Sequence, residues 1–167
     1  HFFLGYYFRD NYEQAMQSLP YIAGGVTINR IEVWVTNKRG NFDQARNIVA
    51  LVDLGEHDNR HIKNPYWVVD GAPQTPHNKA NTLYNEIALN NPGIRDIQQV
   101  SAVMQGLPTI MELGEDYEKV ESARLLNNGE YTLNAALGYI SLKTALNQDE
   151  VLAVAYEYTY GGQVYQV

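Results

Sequence analysis

The sequence predicts an α+β fold rich in β-strands, either a β-sandwich (jelly-roll-like) or a mixed sheet with a helical insertion. Strand patterns are concentrated near the two ends, in residues 26–56 and 130–167, whereas most of the helical periodicity lies in residues 78–126. Strands from both ends of a chain form one core when their apolar faces pack together. Because 167 residues are about the size of one domain, we expect a single domain, 1–167, with its β core at the two ends.

The first β segment contains two predicted strands joined by a polar loop at 37–47. In residues 31–36, Ile and Val alternate with polar residues and Trp34, which is the pattern of a half-buried strand. Residues 48–54 are almost continuously apolar, which is typical of a central strand covered on both faces. Four residues are expected to stabilise the fold of this segment: Trp34, Phe42, Arg46 and Asp53. Trp34 would pack in the core, and Arg46 would form an ion pair with Asp53 that anchors the loop to the strand.

Helices are predicted near the N-terminus and in the middle of the chain. Asp10 can cap a short helix that Pro20 ends. Residues 78–89 and 94–107 carry apolar side chains at helical spacing. Residues 115–126 begin with acidic residues and have a basic residue in the last turn, which favours a third helix in the insertion.

The C-terminal part is predicted to return to β structure. Candidate strands cover residues 131–137, 139–142, 150–160 and 163–167. Gly161 and Gly162 form a two-residue hairpin turn between the last two strands. In the longest strand, aromatic and large apolar side chains share one face and small residues share the other, which indicates packing on both sides.

Histidines offer the sharpest candidate for chemistry. His57 and His61 are four residues apart, the spacing at which two zinc ligands share a helix face, and His77 could supply a third ligand. Asp58 stands where a zinc protease motif has glutamate, so a polar surface loop is the preferred explanation of the segment. A metal-dependent hydrolase is therefore one functional hypothesis, and it ranks last of three.

Acidic residues are also concentrated in one stretch, which could supply an acid–base pair or calcium ligands: Glu112, Glu115, Asp116, Glu118 and Glu121. A solvated helix explains them without a function. The chain has no cysteine and no serine in a nucleophile-elbow motif, so thiol and serine-hydrolase chemistry have no support. The formal net charge of −7 argues against a nucleic-acid partner, because such binding depends on Lys and Arg.

Aromatic residues suggest a binding surface. The chain has 13 tyrosines, and Tyr66 with Trp67 could stack on a sugar or line a peptide groove. The alternative is that these rings pack in the core or against another part of a larger protein.

Several stretches of the chain resemble one protein family. The run RIEVWVTNKRGNFDQARNIVALVDLGE at 30–56 is similar to a motif of the SprA family (called Sov in some members). The resemblance extends to FFLGYYFRDNYEQAMQSLP at 2–20, to DYEKVESARLL at 116–126, and to the segment from 130 to the C-terminus. Residues 57–114 resemble the family only in outline. SprA proteins are very large outer-membrane proteins of Bacteroidetes, known from gliding motility and type IX secretion.

The resemblance implies a non-catalytic structural module of an outer-membrane translocon, with no catalytic residues, metal or cofactor. Its partners would be the rest of the parent protein, other secretion components and secreted proteins. Its location would be the outer membrane or cell surface, with the extracellular side favoured over the periplasmic side. The chain begins at His1 and ends at Val167 inside a predicted strand, so we expect a fragment of a longer protein. The alternative function is a carbohydrate-binding module that recognises surface polysaccharide through exposed aromatic residues.

Overall fold

The chain folds into two antiparallel β-sheets that face each other, with short helices around them. The structure is a computed structural model that describes residues 1–22, 25–40, 42–71 and 73–167. The β-rich α+β class predicted from the sequence is confirmed. The strands are β1 Phe2–Phe3, β2 Val26–Val35, β3 Ala45–Leu51, β4 Tyr117–Leu125, β5 Tyr131–Asn134, β6 Tyr139–Leu142, β7 Leu152–Tyr160 and β8 Gln163–Gln166. The α-helices are α1 Tyr6–Gln17 and α2 Val100–Gly106.

The larger sheet has five strands in the order β3-β4-β2-β7-β8, with β2 at its centre. The alternation predicted for residues 31–36 is confirmed, since Val33 and Val35 are buried in the core between the sheets. Trp34 is buried on the opposite face, beside Val120 and Ala123 of β4. The central strand is therefore covered on both faces.

The smaller sheet has the order β1-β6-β5 and closes the main core. Ile140 of this sheet is fully buried against the large sheet. Phe8 of α1 and Tyr158 of β7 are buried in the same core. Side chains from both sheets form this core: Leu4, Phe8, Val26, Ile28, Val33, Val35, Leu126, Tyr131, Ile140, Tyr156 and Tyr158. The predicted aromatic face of the strand at 150–160 is thus confirmed as a core face.

Residues between β3 and β4 form a second core of their own. Trp67, Leu83, Val100 and Met104 are completely or almost completely buried there, against Tyr117 at the start of β4. The backbone is irregular: a 3₁₀ turn at Pro65–Trp67, a π-helical segment at Asn85–Asn90 and a 3₁₀ turn at Pro92–Arg95 precede α2. The predicted helices at 78–89 and 94–107 are therefore present only as shorter helical pieces.

The third predicted helix, at 115–126, is wrong: this segment is strand β4. Its buried residues Tyr117, Val120 and Ala123 have a spacing of three, which imitates a helix. The step from Val120 to Ala123 arises from a β-bulge, because Arg46 pairs with Ala123 whereas Ile48 pairs with Val120. Tyr117 is buried on the other face of the strand, in the second core. The extra residue in β4 shifts the alternation of its side chains between the two faces by one position. Because residues 117–125 form a strand, the predicted helical insertion ends before β4.

Two further predictions near the N-terminal half need correction. Helix α1 begins at Tyr6, so Asp10 lies inside the helix and does not cap it. The apolar strand β3 is an edge strand, paired only with β4, and not the central strand that its composition indicated. In the loop predicted at 37–47, residue 41 lies outside the described residues.

The C-terminal hairpin agrees with the sequence. Gly161 and Gly162 have φ angles of 57° and 79°, which glycine adopts without strain. They join β7 to β8, whose registers pair Tyr160 with Gln163. None of the helices in the described residues has the length and apolar character needed to span a lipid bilayer.

Candidate functional site

A largely apolar groove of about 670 Å³ lies beside the open part of β7. Its walls are the N-terminal residues 1–6, strand β3, and residues 152–156 of β7, with Trp34 also lining it. Its volume is within the range of ligand-binding clefts. We call it the edge groove, because two strand edges border it.

The edge of β7 in this groove is set by its hydrogen bonding. Tyr156 exchanges backbone hydrogen bonds with Val167, on the side of β8, and Thr36 N donates to Val151 O on the side of β2. In an antiparallel ladder, the direction of the backbone groups alternates from residue to residue. The N–H and C=O groups of Leu152 and Val154 therefore point away from β2 and toward the groove, where no described strand pairs with them.

Strand β3 has a similar free edge. Val52 N donates to Asp116 O on the side of β4, at 3.0 Å, so the same alternation directs the backbone groups of Val49 and Leu51 away from β4. Both residues line the edge groove. The groove is thus bordered by two strands whose outward peptide groups have no strand partner in the described part of the chain.

Side chains at the mouth of the groove are apolar and partly exposed. The exposed fractions are 42% for Phe2, 38% for Phe3 and 50% for Val52. On the Trp34 side, Ala153 and Ala155 of β7 are small and leave space beside the indole ring. Such a surface gains free energy when apolar groups cover it.

Buried polar residues fix the loop behind the groove. Asn81, with 2% exposure, donates from Nδ2 to the carbonyls of Asp53 and Glu56, at 2.7 and 2.9 Å. The Asp53 carboxylate accepts from the backbone N–H groups of Lys63 and Asn64, both at 3.0 Å. These bonds connect the end of β3 to the second core.

Glu56 lines the groove and is also buried. Burial raises the pKa of its carboxyl group, but hydrogen bonds from His57 and from the backbone N–H groups of Asp58 and His57 outweigh this effect. The net result is a pKa below the ordinary value, so Glu56 is a carboxylate at neutral pH.

The ion pair predicted between Arg46 and Asp53 is not formed. The Asp53 oxygens accept from the backbone of Lys63 and Asn64, whereas the Arg46 guanidinium lies 5.9 Å from the centre of the Trp34 ring. Arg46 lies near the start of β3 and Asp53 follows the end of β3. The extended strand therefore separates the two side chains along the sheet. The packing role predicted for Trp34 agrees with its burial, but Phe42 is 64% exposed and does not contribute to a core.

The three histidines considered as zinc ligands point in different directions. His57 Nδ1 lies 3.1 Å from Glu56 Oε1, and His61 Nε2 lies 2.6 Å from Asp10 Oδ2. His77 packs its ring against Tyr165, and burial lowers its pKa. The segment is a turn and not a helix, so the i, i+4 spacing does not place His57 and His61 on one face.

A different group has the spacing needed to hold a cation. Ligand atoms of Asp10, Asp58 and His61 lie within 4.8 Å of one another. The Asp58 carboxylate already accepts hydrogen bonds from Nε and Nη2 of Arg60, and these bonds lower the pKa of Asp58. His61 stacks on Tyr6, with ring centres 4.3 Å apart. This cluster links α1 to the loop after β3.

The acidic residues predicted on a third helix are dispersed. Lys63 Nζ binds Glu115 and Asp116, at 3.1 and 2.9 Å, and Asp116 Oδ2 accepts from Glu112 N. Glu118 and Glu121 lie on strand β4. The contact with Lys63 joins two loops and leaves no paired carboxylates among the described residues of the edge groove.

Only one of the two aromatic residues considered for sugar stacking is exposed to solvent. Tyr66 is 55% exposed, but Trp67 is completely buried in the second core. Their rings meet edge to face, with centres 5.0 Å apart. Trp67 is therefore a core residue, and the prediction that it could bind a sugar is wrong.

Sequence reasoning did not identify the edge groove. Phe2 and Phe3 are apolar in the sequence, but nothing local indicates that they lie beside β3 and β7. No protein-family model matches the chain, and no curated protein is similar to it.

Proposed function

We propose that this chain is a non-catalytic structural module of a SprA-like outer-membrane translocon, used in type IX protein secretion and gliding motility. Its place would be the cell-surface side of the outer membrane. Its role would be to brace the parent protein and to provide a docking surface for other polypeptides.

The distribution of the family-like segments supports this proposal. Residues 30–56 form most of β2 and all of β3, residues 116–126 form β4, and the C-terminal segment forms β5 to β8. All eight strands of the described residues thus lie wholly or mostly in segments that resemble the SprA family. Residues 57–114, which resemble it only in outline, contribute no strand to either sheet.

The docking role has support in the edge groove. The peptide groups of Val49 and Leu51 at the free edge of β3 face outward beside exposed apolar side chains. A strand edge of this kind is a template for pairing with another chain, and proteins that do not use such edges normally cover them. The groove is the single observation that carries the proposal.

The test uses the bacterium that encodes the chain. An epitope tag in the native protein should be found in the outer-membrane fraction and should be cleaved by protease added to intact cells. Val33 is fully buried and Val164 is 60% exposed, so Val33→Asp should abolish type IX secretion and gliding, whereas Val164→Asp should preserve both. A tag confined to the soluble fraction, with secretion unchanged by Val33→Asp, contradicts the proposal.

The carbohydrate-binding alternative is not favoured by the aromatic residues predicted for it, because Trp67 is buried. A glycan array can still distinguish the two functions. Glycan binding that is lost in Tyr66→Ala, together with normal secretion in that variant, would favour the carbohydrate-binding function over the translocon module.

A further inference from the structure

We propose that Asp10, Asp58 and His61 bind one divalent transition-metal ion, and that this ion joins helix α1 to the turn at 58–61. We call these three residues the α1 metal site. Zinc is the ion that suits the three ligands best. A structural metal needs no catalytic residue, so this inference goes beyond the proposed function and does not depend on it.

The spacing of the three side chains is close to that of a zinc site. One ligand atom of each residue lies within 4.8 Å of the other two, and His61 Nε2 lies 2.6 Å from Asp10 Oδ2. Tetrahedral zinc, with bonds of 2.0–2.2 Å, places its nitrogen and oxygen ligands about 3.4 Å apart. The ion would take the place of the proton held between His61 and Asp10, and this proton would be released to solvent.

Helix α1 fixes the orientation of the His61 ring before an ion arrives. Tyr6 and Asp10 are four residues apart in α1 and therefore share one face of the helix. The Tyr6 ring stacks on His61, with ring centres 4.3 Å apart and planes 8° apart, while Asp10 fixes the direction of Nε2. A ligand that is already oriented loses little conformational freedom on binding.

The turn at 58–61 brings the other carboxylate to the same place. The backbone N–H groups of His61 and Ile62 donate to Asp58 O, at 2.8 and 3.2 Å, and Arg60 N donates to Asp58 Oδ1, at 2.9 Å. The Arg60 guanidinium also contacts this carboxylate, but its side chain is 78% exposed. Exposed ion pairs contribute little free energy, so a divalent ion can displace the guanidinium from Asp58.

The chemistry of the ligands selects the class of metal. Magnesium and calcium prefer sites made entirely of oxygen atoms, whereas an imidazole nitrogen suits zinc, copper, nickel and iron. One histidine and two carboxylates give zinc three protein ligands and leave its fourth position to water. The two carboxylates balance the charge of a divalent ion, and the formal net charge of −7 attracts cations to the chain.

The experiment titrates zinc chloride into the purified, metal-free chain and follows binding by calorimetry. One ion per chain should bind, and zinc at a hundredfold excess over the measured Kd should raise the melting temperature by about 5 to 10 °C. His61→Gln and Asp10→Asn preserve the size and polarity of each side chain but remove a ligand. Each should lower the zinc affinity at least about tenfold, whereas His77→Gln should leave it unchanged.

A variant that strengthens binding tests the site without removing a ligand. Arg60→Ala frees the Asp58 carboxylate, so the zinc affinity should rise about threefold. Arg30 is the matched control, because it is 72% exposed and lies 2.7 Å from a carboxylate two residues away, that of Glu32. Arg30→Ala changes the net charge equally and should alter the zinc affinity by less than about twofold. These exposed positions keep the test valid if His61→Gln does not fold.

Three results would overturn the inference. The first is no zinc binding at about 1 mM zinc. The second is zinc binding that His61→Gln and Asp10→Asn leave intact, or that Arg60→Ala and Arg30→Ala strengthen equally, since the ion would then lie elsewhere on the chain. The third is calcium binding as tight as zinc binding and unchanged in His61→Gln, which would exclude an imidazole ligand. The localisation and secretion experiments are unaffected by any of these results.

Discussion

Tyr156 and Val167 donate backbone hydrogen bonds to each other's carbonyl oxygens, at 2.9 and 3.0 Å. This pair divides strand β7 into two parts. From Tyr156 to Tyr160 the strand has a neighbour on each side, and from Leu152 to residue 155 it has only β2 among the described strands. Residues 152–155 of β7 form one border of the edge groove.

The carboxylate of Asp53 accepts two backbone hydrogen bonds in the loop behind the groove. Asp53→Ala would leave the N–H groups of Lys63 and Asn64 without their acceptor, so the free energy of unfolding should fall by about 3 kcal/mol. Asp70 is exposed, and Asp70→Ala should change the free energy of unfolding by less than about 0.5 kcal/mol. Urea denaturation followed by tryptophan fluorescence measures both. Equal, small effects would show that the Asp53 bonds are not formed.

Arg46 and Asp53 should behave as independent residues. Along an extended strand, seven residues separate side chains by about 23 Å, so a double-mutant cycle with Arg46→Ala and Asp53→Ala should give a coupling energy below about 0.5 kcal/mol. The Arg124–Glu130 pair, with 2.9 Å between nitrogen and oxygen, should give a larger coupling of about 1 kcal/mol. A coupling between Arg46 and Asp53 that equals the Arg124–Glu130 value would restore the ion pair predicted from the sequence.

Gly138 should tolerate no side chain. Its φ is +64°, and a Cβ at this position would overlap the Phe8 ring, so Gly138→Ala should lower the free energy of unfolding by about 3 kcal/mol through overpacking and strain. Gly40 is the matched control: its φ is +67°, but a Cβ there meets nothing within 4 Å. Gly40→Ala should therefore cost only about 1 kcal/mol. Thermal unfolding measures the loss of stability in both variants. Equal losses for Gly138→Ala and Gly40→Ala would refute the Phe8 contact.

The acid stability of the fold should depend on Glu56. Its pKa in the folded state is lower than its ordinary value of 4.5, so its carboxylate stabilises the fold above about pH 4.5 and this contribution disappears as the pH falls through the folded pKa. Between about pH 5 and pH 3, Glu56→Gln should lose less stability than the unmodified chain. The exposed Glu121 provides the control, because Glu121→Gln should follow the unmodified curve. Denaturation at a series of pH values gives all three curves, and parallel curves for Glu56→Gln and the unmodified chain would contradict the assignment.

Elements with a local signal were predictable from the sequence. The glycine pair at 161–162 sets the last hairpin, and the period-two pattern of residues 150–160 identifies both faces of β7. Each depends on neighbouring residues only. The SprA-like function stays a prediction, since neither the fold class nor the comparisons bear on it.

Elements that depend on distant partners were not predictable in this way. The bulge opposite Asn47 puts Val120 and Ala123 on one face of β4, and Ser122 N reaches Asn47 Oδ1 at 2.8 Å only when β3 is alongside. His57 and His61 would share a face on a helix, but the turn around Asp58 and Arg60 directs them apart. The edge groove needs three segments that are far apart in the chain, so no window of sequence contains it.

The central position of β2 also has a consequence for synthesis of the protein. Trp34 pairs with Leu125 on one side and with Ala153 on the other, so both neighbours of β2 leave the ribosome long after it does. Until then, the nascent chain carries an apolar ribbon with two unsatisfied edges. Non-local pairing of this kind is slow and exposes the chain to aggregation. The large sheet can therefore close around β2 only after its C-terminal strands have been synthesised.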